Sequence, residues 1–458
     1  MFGLRKTRTS SRNRRNRLRH KLVNYHRGKA GRRTLGGAAF LALLAGAAVS
    51  LLPVPSFCQQ ALTWEQVRDK FEAVNPTLKA AQINIDESRA NEVTAYLRPN
   101  PDLGVLADGT QLVPHQGVWQ PLVGTDYSPN VSYLHERRHK RELRLESAKK
   151  ATDVATSQFR DQDRTLLSTL RSAFVLTLQQ KALLALAKAN LDYYDKVLSI
   201  SRERFRVGDM AKIDLDRLEL QRVQYESDLE SAKVALETAK IQVLMLLNDR
   251  TPADHFDVTG PFDSSDQLPS PDELHRIALD TRPDLKAAIQ AVDKAKTDHQ
   301  LAISNGSTDP TYSVWYTYNP SFNNPYDQHT IGFSVNIPLR IFDRNQGEKA
   351  RTLLDIGLNE RQRDAAEAQV FSDVDTAYAN VESNINLLRP YKEKYLAQAV
   401  RVRDTVTYSF QRGAASLLDF LNAESDYRSV QVNYLTLIGA YLTAVAQLNE
   451  AVGRETIP

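Results

Sequence analysis

The sequence predicts a mainly α-helical protein carrying a small set of membrane β-strands, built as a duplicated long-helix and β-hairpin repeat. Three observations predict it. The first is repetition: Asn75-Pro76-Thr77-Leu78-Lys79-Ala80-Ala81 returns as Arg282-Pro283-Asp284-Leu285-Lys286-Ala287-Ala288. Likewise Arg204-Phe205-Arg206-Val207-Gly208, followed by Asp214, returns as Ser409-Phe410-Gln411-Arg412-Gly413, followed by Asp419. A period of about 205 residues is far longer than a solenoid repeat and marks a duplicated half-domain. The second observation is a stretch without glycine or proline from Asn130 to Val207, which calls for one very long helix. The third is a short alternating apolar run on either side of each hairpin turn, the period-two signature of strands.

The chain opens with a basic leader. Residues 1–33 hold 13 of the 59 Lys and Arg residues, and no acid precedes Glu65. An apolar stretch from Gly36 to Leu52 follows, then Pro53, Pro55 and Ser56-Phe57-Cys58. Basic, apolar and small-residue regions in that order read as a secretory signal over residues 1–58, cut near Cys58 and Gln59. An uncleaved anchor and a lipid on Cys58 are the alternatives. Without the leader, 46 basic residues face 55 acidic ones, a net charge of −9. That balance lacks the electrostatic footprint of a nucleic-acid partner. Cys58 is the single cysteine, so no intrachain disulfide forms. No later segment reads as long and apolar enough for a transmembrane helix, so membrane insertion would use strands.

After the leader, Thr63 to Leu97 is expected as a helix and Asp102–Ala107 and Asn130–Leu134 as strands. His139 to Arg206 is the long helix, roughly 100 Å at 1.5 Å per residue. Gly208 permits a reversal into a helix over Ala211–Asn248, and Pro271–Ile303 is helical again. Strands follow over Tyr312–Tyr318 and Thr330–Ile337, then a long helix from Gln346 to Arg412 kinked at Pro390, and a last helix over Ala414–Val452. The lengths suggest a circuit in which one long descent is matched by two stacked ascents. Ala211–Asn248 with Pro271–Ile303 would form one pair, and Ala414–Val452 with Thr63–Leu97 the other. Apolar residues at heptad spacing from Leu215 to Leu246, broken only by Arg222, and from Phe420 to Ala451 indicate supercoiled packing. Residues 59–270 and 271–458 are the two repeats.

Four strands cannot close a barrel, and an open edge in lipid leaves backbone groups unpaired. Several chains must therefore pool their strands. The alternative is a pair of soluble hairpins on a periplasmic coiled-coil scaffold.

One motif points elsewhere. His135-Glu136-Arg137-Arg138-His139 has the spacing of a zinc protease site, with two histidines as ligands and the glutamate as base. It falls at a strand-to-helix junction, is flanked by cations, and has no histidine in its repeat mate, so no enzyme, cofactor or metal site is expected.

The residues taken in order resemble the TolC family of outer-membrane efflux channels from about Leu62 to Gly453. The Asn-Pro and Arg-Pro-Asp-Leu helix starts carry the likeness, as do Glu136-Arg137-Arg138-His139-Lys140-Arg141 with Arg144, and both Gly…Asp turns. Ile337-Pro338-Leu339-Arg340-Ile341-Phe342-Asp343-Arg344-Asn345-Gln346-Gly347 resembles the heavy-metal branch. The resemblance implies a homotrimer with a 12-stranded barrel in outer-membrane lipid and an α-helical tunnel across the periplasm. A periplasmic adaptor and an inner-membrane RND or ABC transporter would be its partners, the latter in a type I secretion duct. It places the adaptor-docking tips at Phe205, Arg206, Val207, Gly208, Asp209, Phe410, Arg412, Gly413 and Ala414. Asp419 matches the family's constriction aspartate, with Asp214 as its repeat mate. The family's second aspartate is Asn422 here, and its basic gating residue is Ala415.

Overall fold

The computed structural model describes residues 61–319 and 328–457; the predicted leader lies outside them. In chain order the first repeat comprises α1 (Trp64–Val74), α2 (Pro76–Tyr96), β1 (Asp102–Asp108), β2 (Asp126–Leu134), α3 (Lys140–Arg206) and α4 (Lys212–Leu246). The second comprises α5 (Pro271–Thr281), α6 (Pro283–Asn305), β3 (Thr311–Tyr318), β4 (His329–Asn336), α7 (Gln346–Pro390), α8 (Leu396–Gln411) and α9 (Leu417–Val452).

Two helices expected as continuous are broken. Thr63 opens α1 with a reciprocal capping box to Gln66, and α1 then stops at Asn75 (ψ 122°). A residue preceding proline is pushed to extended backbone, and Pro76 has no N–H to continue the ladder. The Asn75 side chain accepts from the N–H groups of Thr77 (2.9 Å) and Leu78 (3.1 Å), capping α2. Arg282 (ψ 121°) repeats the break before Pro283.

These two break residues also overturn the expected stacking. Asn75 donates to the carbonyl of Leu246 at 3.0 Å, and Arg282 to the carbonyl of Ala451 at 3.2 Å. Thus α1–α2 meet the end of α4, and α5–α6 meet the end of α9; each repeat closes on itself. The helix lengths permitted either pairing, and only the tethers distinguish them. Each junction has its own core. Val67, Phe71, Leu78, Val243 and Leu247 occupy the first; their repeat mates Leu274, Ala278, Leu285, Leu448 and Val452 occupy the second.

The long helix α3 has 67 residues, about 100 Å. Its counterpart is interrupted after Pro390 by a π-helical turn over Tyr391–Tyr395, the relief of a proline that cannot join the i→i−4 ladder. Lys392 on that turn pairs with Asp263 at 2.8 Å and donates to the Ser264 carbonyl at 2.9 Å, so the inter-repeat segment is laced to the irregular turn. One expectation about composition also changes. Part of α9 reaches the mean hydropathy of a membrane span. Tyr441, Ala444 and Leu448 of this helix are buried in the second junction core, while Leu418 and Val432 are exposed.

The described residues contain one four-stranded antiparallel sheet in the order β1-β2-β3-β4. The pairs Leu134↔Thr311 and Thr311↔Asn336 put the helix-proximal ends of β2, β3 and β4 together, and Asp102↔Ser132 brings the start of β1 to the same rim. The first-repeat strands are longer than expected, because Pro129 and the polar residues of Asp126–Asn130 are carried on pairing with β1 rather than on apolar alternation.

Candidate functional site

The sheet has two chemically different faces. Residues alternate sides along a strand, and the register carries each side across all four strands. Leu103, Val131, Val314 and Phe333 share one face, as do Val105, Tyr316 and Ile331. That face is bare: Leu103 is 76% and Ile331 81% exposed. The opposite face is mostly polar, presenting Ser128, Asn130, Ser132, Ser313, Thr317, Thr330 and Ser334 with Leu106 and Trp315 among them, and Ser128 bonds Thr317 across strands at 2.8 Å. Large apolar groups facing outward on one side and hydroxyls and amides on the other suit a sheet with lipid on one face and water on the other. Within the chain, β1 and β4 each have one unpaired edge.

At the far end of the helices both reversals use the same backbone device. Gly208 (φ +79°) and Gly413 (φ +76°) take the left-handed conformation that glycine adopts without penalty. Gly208 N–H donates to Phe205 O at 3.0 Å and Asp209 N–H to Arg204 O at 2.8 Å. Gly413 N–H donates to Phe410 O at 3.0 Å and Ala414 N–H to Ser409 O at 2.8 Å. This is a Schellman motif, which satisfies the last carbonyls of each helix.

The side chains are not duplicated. Phe205, Arg206, Val207, Gly208 and Asp209 are exposed, as are Arg412, Gly413 and Ala414. Phe410 is the exception to the expected docking set. It is 5% exposed and stacks on Phe420 with centroids 4.8 Å apart, inside a cluster with Tyr194, Leu198, Leu215 and Leu218. Its large apolar surface is used for holding the hairpins together. Arg204, absent from the expected set, joins the two tips: it donates to Asp209 Oδ2 at 2.8 Å and to the Phe410 carbonyl at 2.8 Å. Its repeat mate is Ser409, and that loss of symmetry was the available sequence signal.

Asp419 sits at the third position of α9 in a capping box. Its carboxylate accepts from Ser416 Oγ at 2.7 Å and its N–H donates to the same oxygen at 3.2 Å, and these bonds from Ser416 lower its pKa. Asp214 occupies the same helical position in the first repeat, where Ala211 supplies no cap. Asp419 and Asn422 are exposed and Asp214 is half-buried. One turn further along α9, Glu424 is buried; burial pushes its carboxyl up to about 7, partly offset by Arg403 and Arg428. Its Oε1 has no hydrogen-bond partner among the described residues. The residues flanking Glu424 carried no sign of this.

The zinc-protease spacing is occupied otherwise. Both carboxylate oxygens of Glu136 are bound by Arg144, and His139 lies outside α3 with φ +54°. No group of three or more metal-ligating side chains is assembled among the described residues.

A two-faced sheet with open edges, carried on helices about 100 Å long that reverse at glycine tips, defines the class: the subunit of an outer-membrane channel with a periplasmic extension. The chain belongs to the outer membrane efflux protein family, which it matches over residues 67–249 and 274–454. It is 22% identical over 411 residues to the cobalt-zinc-cadmium resistance protein CzcC of Cupriavidus metallidurans, covering 88% of this chain and 93% of that one. Its fold matches that of CusC, solved in a study of folding and transmembrane channel formation, with a TM-score of 0.72 at 17% identity over 85% of this chain and 92% of that one. It also matches the open-state MtrE outer membrane channel of Neisseria gonorrhoeae, with a TM-score of 0.70 at 17% identity over 86% and 89%. The protein is an outer-membrane efflux component.

Proposed function

We propose that three copies of this chain form a 12-stranded barrel and a continuous helical tunnel, the exit duct of a tripartite efflux system. The observation that carries the reading is the sheet: one lipid-compatible face, one polar face and two complementary free edges. Residues 59–270 and 271–458 each supply one hairpin, two strands and one tip. The tips dock a periplasmic adaptor through Phe205, Arg206, Val207, Gly208, Asp209, Arg412, Gly413 and Ala414, with Phe410 and Arg204 positioning them from beneath. The adaptor couples the duct to an inner-membrane RND pump. Similarity to a cobalt-zinc-cadmium resistance protein, together with the Ile337–Gly347 stretch, supports divalent metal ions as the cargo. The chain performs no catalysis.

Asp419, with Asn422 and Asp214 nearby in the repeat pattern, forms a carboxylate constriction on the threefold axis; like charges close together favour cations and oppose closure. The test is reconstitution of the detergent-purified protein into a planar bilayer. A trimeric mass and cation-selective conductance that weakens in Asp419→Ala support the reading. A monomer that is soluble without detergent removes it, and unchanged selectivity in Asp419→Ala removes the ring.

A further inference from the structure

The helix-proximal rim of the sheet carries two kinds of basic residue. One kind is structural. Lys140 is 4% exposed, paired with Asp309 at 2.5 Å and donating to the Ser307 carbonyl at 2.9 Å. Arg144 holds Glu136 and reaches the carbonyls of Ala95 and Leu97 where α2 ends. The other kind is unused. The side chains of Arg98, Arg137, Arg138, Arg340 and Arg344 make no hydrogen bond or ion pair among the described residues. The acids beside them are committed: Glu136 to Arg144, Glu142 to Arg141 at 2.8 Å, and Asp343 to the N–H of Asn345 at 2.8 Å. Arg138 is moreover held at φ +57°, a left-handed conformation that costs a non-glycine residue about 1–3 kcal/mol unless its surroundings impose it. Arg98, Arg137 and Arg138 help line a surface pocket of about 440 Å³, large enough for a small charged headgroup.

An apolar series runs directly into this cationic rim. On β4 the bare-face residues are Ile331, Phe333 and Val335, and the same period continues beyond the sheet through Ile337, Leu339 and Ile341. Leu339 is 79% and the adjoining Phe342 89% exposed, with Arg340 and Arg344 interleaved. Apolar groups continuous with a lipid-facing surface, rimmed by long cations able to reach outward, match the boundary between acyl chains and headgroups.

We infer that this rim is a lipid-recognition collar, in which Leu339, Ile341 and Phe342 enter the periplasmic leaflet and the free arginines bind the phosphates of anionic phospholipids. Arginine suits that task because its fork of donors matches phosphate oxygens, and each cation near an anionic surface adds favourable energy. The inference rests on the reading that the sheet lies in the membrane.

Native mass spectrometry of the full-length trimer, extracted from vesicles of equal phosphatidylglycerol and phosphatidylcholine, tests it. The expected result is retained phosphatidylglycerol in excess, falling by up to about five-fold for each of Arg137→Gln, Arg340→Gln and Arg344→Gln, and falling with added salt. These side chains have no hydrogen-bond or ion-pair partner among the described residues, so the variants leave the fold intact. Equal retention of the two lipids by the unaltered trimer overturns the collar. So does Phe342→Ser if it dissolves the trimer without changing lipid retention, because the apolar loop is then covered by a neighbouring copy. Bilayer conductance read on the same preparation separates the two failures: a conducting trimer without lipid preference removes the collar alone, and a non-inserting protein removes the channel reading as well.

Discussion

The two hairpin tips share a backbone and differ in almost every task their side chains perform. Both use a left-handed glycine and the same pair of hydrogen bonds. In the first, Phe205 is 40% exposed; in the second, Phe410 is 5% exposed and stacked on Phe420. Ala211 leaves α4 without a side-chain cap, whereas Ser416 caps α9. Glu219 is exposed and bonded to Arg202 at 3.0 Å, whereas its mate Glu424 is buried with a carboxyl oxygen unpartnered. Duplication preserved the turn and divided the work: the first tip presents side chains, and the second anchors the pair.

The glycines give the sharpest test of what the tips share. A Cβ at Gly208 meets nothing within 4 Å, and at Gly413 only the Arg204 guanidinium at 3.8 Å. Within the chain, Gly208→Trp or Gly413→Trp therefore costs only the strain of the turn, about 1–2 kcal/mol. Complete loss of efflux with trimers still assembled is the expected outcome, read by a resistance assay beside a mass measurement; normal resistance would mean that no partner approaches there.

The phenylalanines break the symmetry next. Phe410→Ala should destabilise the helical hairpins by about 3–5 kcal/mol, and Phe205→Ala by less than about 0.5 kcal/mol. Thermal unfolding that ranks them equally would contradict the division between anchoring and presenting tips.

Glu424 adds a pH dependence to the second repeat. Its folded pKa, about 7, lies above the ordinary value of 4.5, so its stabilising contribution is complete below pH 4.5 and is lost as pH rises through about 7. Protection factors of the α9 amides, each taken relative to the intrinsic exchange rate at that pH, should therefore be higher at pH 5 than at pH 8. Glu424→Gln should flatten the difference and gain on the order of 2 kcal/mol at pH 8. A wild-type profile flat across that range would show the carboxyl to be solvated.

The caps give the smallest effect. Ser416→Ala should cost about 1 kcal/mol, and Ala211→Ser should gain a comparable amount if the first repeat can adopt the second repeat's cap. Chemical denaturation of the two variants measures both.

Helix extents, strands and tips were legible in the residues because each depends on local punctuation. The stretch free of glycine and proline ended one residue beyond α3, the expected start at His139 fell one residue early, and a glycine marked each reversal. The breaks at Asn75 and Arg282 were legible too, in the prolines that follow them, but helical periodicity on both sides masked them. The stacking of ascents was not legible, because two helices of similar length fit either partner and a single carbonyl contact decides. Nor was the burial of Phe410: the same residue type occupies the same place in both motifs, and what differs is the packing of Phe420 beneath only one of them. Arg204 and Glu424 act through neighbours distant in sequence, Phe410 O and Arg403 among them, and such pairings leave no local trace.

The two unpaired sheet edges carry a genetic consequence. If three copies close one ring as proposed, a subunit that cannot offer both borders correctly harms not only itself but whichever siblings it joins, since a ring is only as sound as its worst seam. A defective allele expressed beside a normal one should therefore poison the mixed rings, and the phenotype would be dominant rather than recessive.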